Sequence, residues 1–113
     1  MARIDSVRHV AADPSSLALL LSGPTGRELW GGDDLTLAAP QRSGVRFRVD
    51  LATTDPVPAR GRILISAGAD GPVASEVRLC LNTVSRDVPA LRRAAERFLD
   101  ALVAVAQERS TAA

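Results

Sequence analysis

The last quarter of the chain constrains the fold most. From Val88 to Arg109, the residues Leu91, Ala95, Phe98, Leu102 and Val105 recur three or four positions apart, so a helix over this stretch carries one apolar stripe. Arg93, Glu96, Arg97, Asp100 and Gln107 fall on its opposite side. Asp87 offers a side-chain oxygen to the first unpaired amides of such a helix. Pro89 falls in the first turn, where an amide hydrogen is not needed. A helix of this kind must bury its stripe, and the preceding residues have to supply the surface.

Three consecutive segments supply it. In Gly44 to Ala52, Val45, Phe47, Val49 and Leu51 alternate with Arg46, Arg48 and Asp50. In Arg60 to Ala67, Ile63 and Ile65 share one face, with Arg60, Arg62, Leu64 and Ser66 on the other. In Val73 to Asn82, Val77, Leu79 and Leu81 point one way, and Glu76, Arg78, Cys80 and Asn82 the other. Strict period-two alternation means a half-buried strand with one wet face. The Gly68 to Pro72 cluster holds Asp70-Gly71, a hairpin signal. The expected product is an antiparallel meander with one apolar face, and the fold class is α+β.

The N-terminal half is less regular. Arg3 to Val10 reads as a strand, although Ile4 and Val7 fall on opposite faces unless a bulge intervenes. Asp13-Pro14 starts a helix with an oxygen-bearing cap and a proline at the first position. That helix runs to Leu21 and stops at Ser22-Gly23-Pro24, with one more turn expected over Thr25 to Trp30. Gly31-Gly32-Asp33-Asp34 is a loop by composition. Leu35 to Ala39 is a short strand, and Asp55-Pro56-Val57-Pro58 is a break.

With 113 residues, the chain has the size of one domain, expected over 1–110 with a frayed tail at 111–113. Its longest apolar run, Leu17 to Leu21, is far short of the roughly 20 residues a membrane helix needs. The first residues have no apolar stretch of signal-peptide length. One cysteine, Cys80, allows no internal disulfide, and the expected location is cytoplasmic. The net charge of +1 gives no global attraction to nucleic acid or anionic lipid. All 14 cationic side chains are arginine, which with the many alanines reads as the codon bias of a GC-rich genome.

Few residues could carry chemistry. His9 is the single histidine, and Asp5, four residues away on the same strand face, is about 13 Å distant along it. That is too far for an acid–base partner. Cys80 lies on the wet-face register, where Arg78 alone is weak activation for a thiolate. Asp33-Asp34 is the one adjacent acidic pair and reads as a solvated loop. Gly23-Pro24-Thr25-Gly26-Arg27 lacks the spacing and lysine of a phosphate loop. The arginines expected on the outer sheet face, Arg46, Arg48, Arg60, Arg62 and Arg78, have Asp50 and Glu76 among them and no aromatics for base stacking. Cross-strand charge pairing is the expected role. Neither a metal site nor a cofactor is expected.

The order of elements resembles the helix-grip fold. It is similar to the START/Bet v 1-like (SRPBCC) superfamily, in a shortened form of the bacterial polyketide cyclase-like branch. The resemblance lies at Val10-Ala11-Ala12-Asp13-Pro14, where a strand gives way to a helix, at Leu29-Trp30, where the helix pair meets the sheet, and at Leu91 to Ala106, the gripping helix. It implies an antiparallel sheet of about five to six strands wrapped on the long helix. It also implies a small apolar cavity between them, lined by Val45, Phe47, Val49, Ile63, Ile65, Val77, Leu79, Leu91, Phe98 and Leu102, with Trp30 near its mouth or anchoring the helix pair. Ser6 or Arg8 could meet a polar end of the ligand. The expected function is binding of a small apolar molecule, with no nucleic-acid or membrane partner. Two alternatives stay open: an interaction module or homodimer with a packed core, and an enzyme of the cyclase or dehydratase kind on analogy alone.

Overall fold

The computed structural model describes residues 1–30, 35–54, 57–68 and 71–112, with the side chains of 71–73 and 109–112 outside the description. The loop at Gly31–Asp34, the Asp55-Pro56 part of the break, Asp70 of the hairpin signal and the side chains of the expected tail therefore fall outside the described residues.

Among the described residues, six strands and three helices follow in the order β1 (Ala2–Val10), α1 (Pro14–Ser22), α2 (Pro24–Trp30), β2 (Leu35–Leu37), β3 (Gln41–Ser43), β4 (Arg46–Thr53), β5 (Ala59–Gly68), β6 (Gly71–Thr83) and α3 (Val88–Ala112). The strands form one antiparallel sheet in the order β1-β6-β5-β4-β2, with β3 also paired to β4. This is the helix-grip arrangement: a sheet, a helix pair inserted after its first strand, and a long helix at the end.

The alternation places the apolar side chains as expected in β4, β5 and β6. Val49, Ile63, Ile65, Val77, Leu79 and Leu81 have no exposed surface. β1 pairs continuously with β6, from Ala2 opposite Thr83 to Val10 opposite Ser75, so no bulge resets it. Ile4 and Val10 face the core, and Val7 is left half-buried on the other side. The polar Ser6 and Arg8 take the two inward positions between them.

β2 and β3 act as one interrupted edge strand on β4. Leu35 lies opposite Thr53 and Leu37 opposite Leu51, but Gln41 lies opposite Arg48, so the register slips by one residue across Ala38–Pro40. Pro40 has no amide to donate, and a break here blunts an edge that would otherwise template further strands. At Ser43–Arg46 the chain turns back through two residues. Gly44 takes the positive φ of 64° that the first position of a II′ hairpin turn requires.

The helices begin and end on local chemistry. Asp13 accepts hydrogen bonds from the Ser16 amide at 3.1 Å and the Ser16 hydroxyl at 2.6 Å. Asp87 accepts from the Ala90 amide at 3.3 Å. α1 lies against β4, β5 and β6, whereas α3 lies against β1 and α2. The short first helix therefore covers the centre of the sheet, and the long helix covers its β1 side. The buried stripe of α3 is wider than the periodicity indicates. It includes Ala94, Leu99 and Ala106, while Val105 is only partly buried.

Candidate functional site

Most of the expected lining residues meet in one place. Val49, Ile63, Ile65, Val77, Leu79, Leu91, Phe98 and Leu102 belong to a single buried cluster that also takes in Leu17, Leu20 and Leu21 of α1, with Phe47 and Trp30 packed against it. The Trp30 ring lies 5.6 Å from that of Phe98, tilted by 57°, within the range of a favourable aromatic contact. Trp30 thus anchors α2 on α3. Val45 is a correction. It sits in the tight turn before β4 and is 70% exposed, because the Gly44-Val45 turn takes it out of the strand and the inward alternation begins only at Phe47.

A cleft of about 550 Å³ opens elsewhere, at the corner where β1 passes into α1. Ala11, Ala12, Leu17, Leu19 and Leu20 line one side, and Ala106 of α3 closes the other; Asp13, Ser16, Gly23 and Thr25 complete it. The local sequence explains the hollow. Asp13-Pro14 turns the chain sharply into α1, and Gly23-Pro24 separates α1 from α2. The buried Ser75 hydroxyl donates to the Ala12 carbonyl at 2.6 Å, which ties the corner to β6. At Ala106 a methyl group stands where a larger side chain would fill the space. None of the cleft residues was expected from the sequence. Their one sequence signal is the run Leu17 to Leu21, which makes α1 apolar on every side and leaves Leu19 75% exposed at the rim.

Asp13 is the one titratable group among the described lining residues of the cleft. Its hydrogen bonds from Ser16 hold its carboxyl below the usual carboxylate range, and both oxygens are engaged in capping the helix. No second titratable group stands among the described lining residues.

Ser6 and Arg8 do face α3, where they meet protein groups. The Ser6 hydroxyl donates to Glu96 at 3.2 Å, and Arg8 pairs with Glu96 and, at 3.1 Å, with Asp100. Arg8 also donates to the Val7 carbonyl at 3.0 Å. The polar side of α3 is therefore clamped onto the edge strand. Arg8, aided by Ser6, holds the Glu96 carboxyl below its usual range. A depressed folded-state value means that the stabilisation is complete above the unfolded value of about 4.3 and is lost as pH falls through the lower folded value. Glu96 is part-exposed, so the expected gain is small, about 0.5 kcal/mol. Urea titrations should show Glu96→Gln less stable at neutral pH, with the difference from wild type closing below about pH 4. A difference independent of pH would assign the link no electrostatic part.

The outer face holds the remaining candidates. His9 is exposed there, opposite Glu76. Cys80 is a second correction: its register is outward, yet it is only 5% exposed. Arg3, which donates to its sulfur at 3.9 Å, and Asp5, its direct cross-strand partner, cover it. Burial, with Asp5, pushes its thiol pKa up against the opposing pull of Arg3, which makes a thiolate harder to form. Among the described residues no cluster of three His, Cys, Asp or Glu could hold a metal ion, and no helix is long and apolar enough to cross a membrane. Asp33-Asp34 lies outside the described residues.

No family model and no curated protein matches the sequence. Solved structures do match the fold. A START superfamily protein from Mycobacterium smegmatis superimposes with a TM-score of 0.52 at 14% identity, over 94% of this chain and 97% of that one. The fold is START-like. The Aha1 dimer from Colwellia psychrerythraea gives a TM-score of 0.56 at 13% identity, over 94% and 96% of the two chains. A protein from Thermus thermophilus gives 0.57 at 13% identity, over 96% and 99%. At such identities the START-like likeness concerns the path of the chain, and the side chains that fill the core and line the cleft are this protein's own.

Proposed function

We propose that this START-like protein binds a compact, mostly apolar small molecule, and that the cleft between α1 and the end of α3 receives it. The observation that carries the reading is the 550 Å³ hollow, a volume within the usual range of ligand sites, whose leucine and alanine walls are matched by nearly as much polar surface around Asp13, Ser16 and Thr25. Ser16 and Thr25 provide hydroxyls there, enough to orient one polar end of a ligand. Burial and shape do the selecting, so chemically similar molecules of the same size should compete well.

The test is native mass spectrometry of the purified protein, followed by rebinding of whatever it carries. Ala106→Phe fills the cleft from the α3 side, and the bound molecule should be lost or bind at least about tenfold more weakly; because Ala106 is buried, the larger side chain should also lower stability by about 1–3 kcal/mol. Leu19→Ser, at the exposed rim, is the milder variant if the first does not fold. A protein that carries nothing, and binds a hydrophobic dye equally well with and without Ala106→Phe, would overturn the reading.

A second reading is a homodimer formed through the β1 edge. Among the described residues β1 ends the sheet and pairs on one side alone, which leaves a strand edge available to a second copy. The same native mass spectra report that state directly.

A further inference from the structure

The outward side of the sheet carries a charge imbalance that the cleft does not use. Arg3, Arg46, Arg48, Arg60, Arg62 and Arg78 stand there with Asp5, Asp50 and Glu76 among them. The face therefore holds a net +3 in a chain whose net charge is +1, which leaves −2 for all the rest. Arg3 is paired with Asp5 at 3.0 Å and Arg48 with Asp50 at 2.8 Å. Cys80 and Arg3, with Arg78 at longer range, keep Asp5 ionised. Among the described residues, Arg46, Arg60 and Arg62 have no ion-pair partner, and all three are exposed or half-exposed.

The same face has a hollow. A pocket of about 250 Å³ opens between Arg46 and Arg78, with Leu64 as its outward apolar side chain and Ser66 and Glu76 as polar members; the strands bound it at Phe47 and Ile65, which belong to the inward register. Leu64, Arg62 and Arg60 follow one another on the outward side of β5, at every second residue. That repeat is about 7 Å. An extended peptide repeats its own side chains on one side at the same spacing.

We propose that this face docks an acidic, extended segment of another protein. One apolar side chain of the segment enters the pocket beside Leu64, and carboxylates two and four residues further on reach Arg62 and Arg60. Guanidinium groups without partners suit carboxylates, which they bind through paired hydrogen bonds. A nucleic acid fits worse. The face has no outward aromatic side chain for base stacking, and its three carboxylates would oppose a uniformly charged phosphate backbone. A lipid surface fits worse still, because among the described residues no large apolar side chain stands clear of the face to insert.

The experiment uses the full chain and a synthetic peptide, acetyl-Gly-Leu-Ser-Glu-Ser-Glu-Gly-amide, with binding followed by nuclear magnetic resonance titration. Arg60→Glu with Arg62→Glu should weaken binding about tenfold or more, and so should replacing both peptide glutamates by glutamine. Replacing the peptide leucine by serine should weaken it by a smaller factor. Arg92→Glu with Arg93→Glu, on exposed positions of α3, should leave it unchanged, as should the cleft variant Ala106→Phe. If the charge-reversed protein does not fold, Arg60→Gln with Arg62→Gln carries the same test. A glutamine peptide that binds equally well would overturn the proposal. So would an oligonucleotide that displaces the glutamate peptide at lower concentration than the unlabelled peptide itself, or peptide-induced shifts confined to α3.

Discussion

Gly61→Ala is expected to cost at least about 3 kcal/mol, or to prevent folding, since overpacking against backbone has no rotamer to relieve it. Gly61 occupies an inward position in the middle of the sheet, opposite Leu51 on β4 and Leu81 on β6. A Cβ there would stand 1.8 Å from the Cys80 carbonyl oxygen and 2.9 Å from the Leu81 Cα. Both are backbone atoms of the neighbouring strand, so β5 and β6 would have to part. A glycine inside a strand marks such a close backbone approach, and here it sits where the sheet must close around α1 and α3. Two other glycines calibrate the measurement. At Gly44 an added Cβ meets nothing within 4 Å but φ is +64°, so alanine should cost only the left-handed penalty, about 1–2 kcal/mol. At Gly68 the nearest atom is 3.4 Å away, an ordinary contact, and the change should stay within about 0.5 kcal/mol. Urea midpoints of the three variants give the order directly. A Gly61→Ala midpoint equal to that of Gly68→Ala would mean that the strands do not approach as closely as described.

Gly61 also shows which parts of the fold can be read from the sequence. The alternation in β4, β5 and β6 is legible because one side of those strands meets water and the other does not. It is silent about how closely two strands approach, and the isolated glycine in Arg60 to Ala67 is the single local trace of that. β1 is harder to read because its inward positions hold Ser6 and Arg8, which are satisfied by Glu96 and Asp100 across a long stretch of sequence. β3 is exposed throughout and polar, Gln41-Arg42-Ser43, so its pairing rests on the backbone of β4 and leaves no side-chain pattern. Cys80 departs from its pattern because the length of neighbouring side chains, Arg3 above all, decides whether an outward position is wet. The cleft joins residues 11–25 to Ala106, and a space bounded by small residues from distant segments has no periodicity of its own. The START-like order of elements was legible, whereas the hollow it encloses depends on how those elements pack.

Phe98→Ala should have the second large effect, about 3–5 kcal/mol of lost stability. Phe98 is 1% exposed and belongs to the stripe by which α3 grips the rest. Its ring is also the partner of Trp30, so the substitution removes a core volume and the aromatic contact that holds α2 against α3. The two losses can be separated. Phe98→Leu keeps much of the volume and removes the ring, and a double-mutant cycle with Trp30→Leu should return a coupling of about 0.5–1.5 kcal/mol. Trp30 is the single tryptophan of the chain, so its emission reports the docking of α2 without any label. The native Phe98→Ala protein should emit at longer wavelength than wild type, because water replaces the ring. A lower urea midpoint with unchanged emission would instead place the docking of α2 on its other contacts. The consequence extends to the cleft, since Thr25, in the first turn of α2, forms part of its lining. If α2 loosens when the Phe98 ring is lost, the cleft loses part of its polar side, and a carried ligand should dissociate faster from Phe98→Ala than from Phe98→Leu.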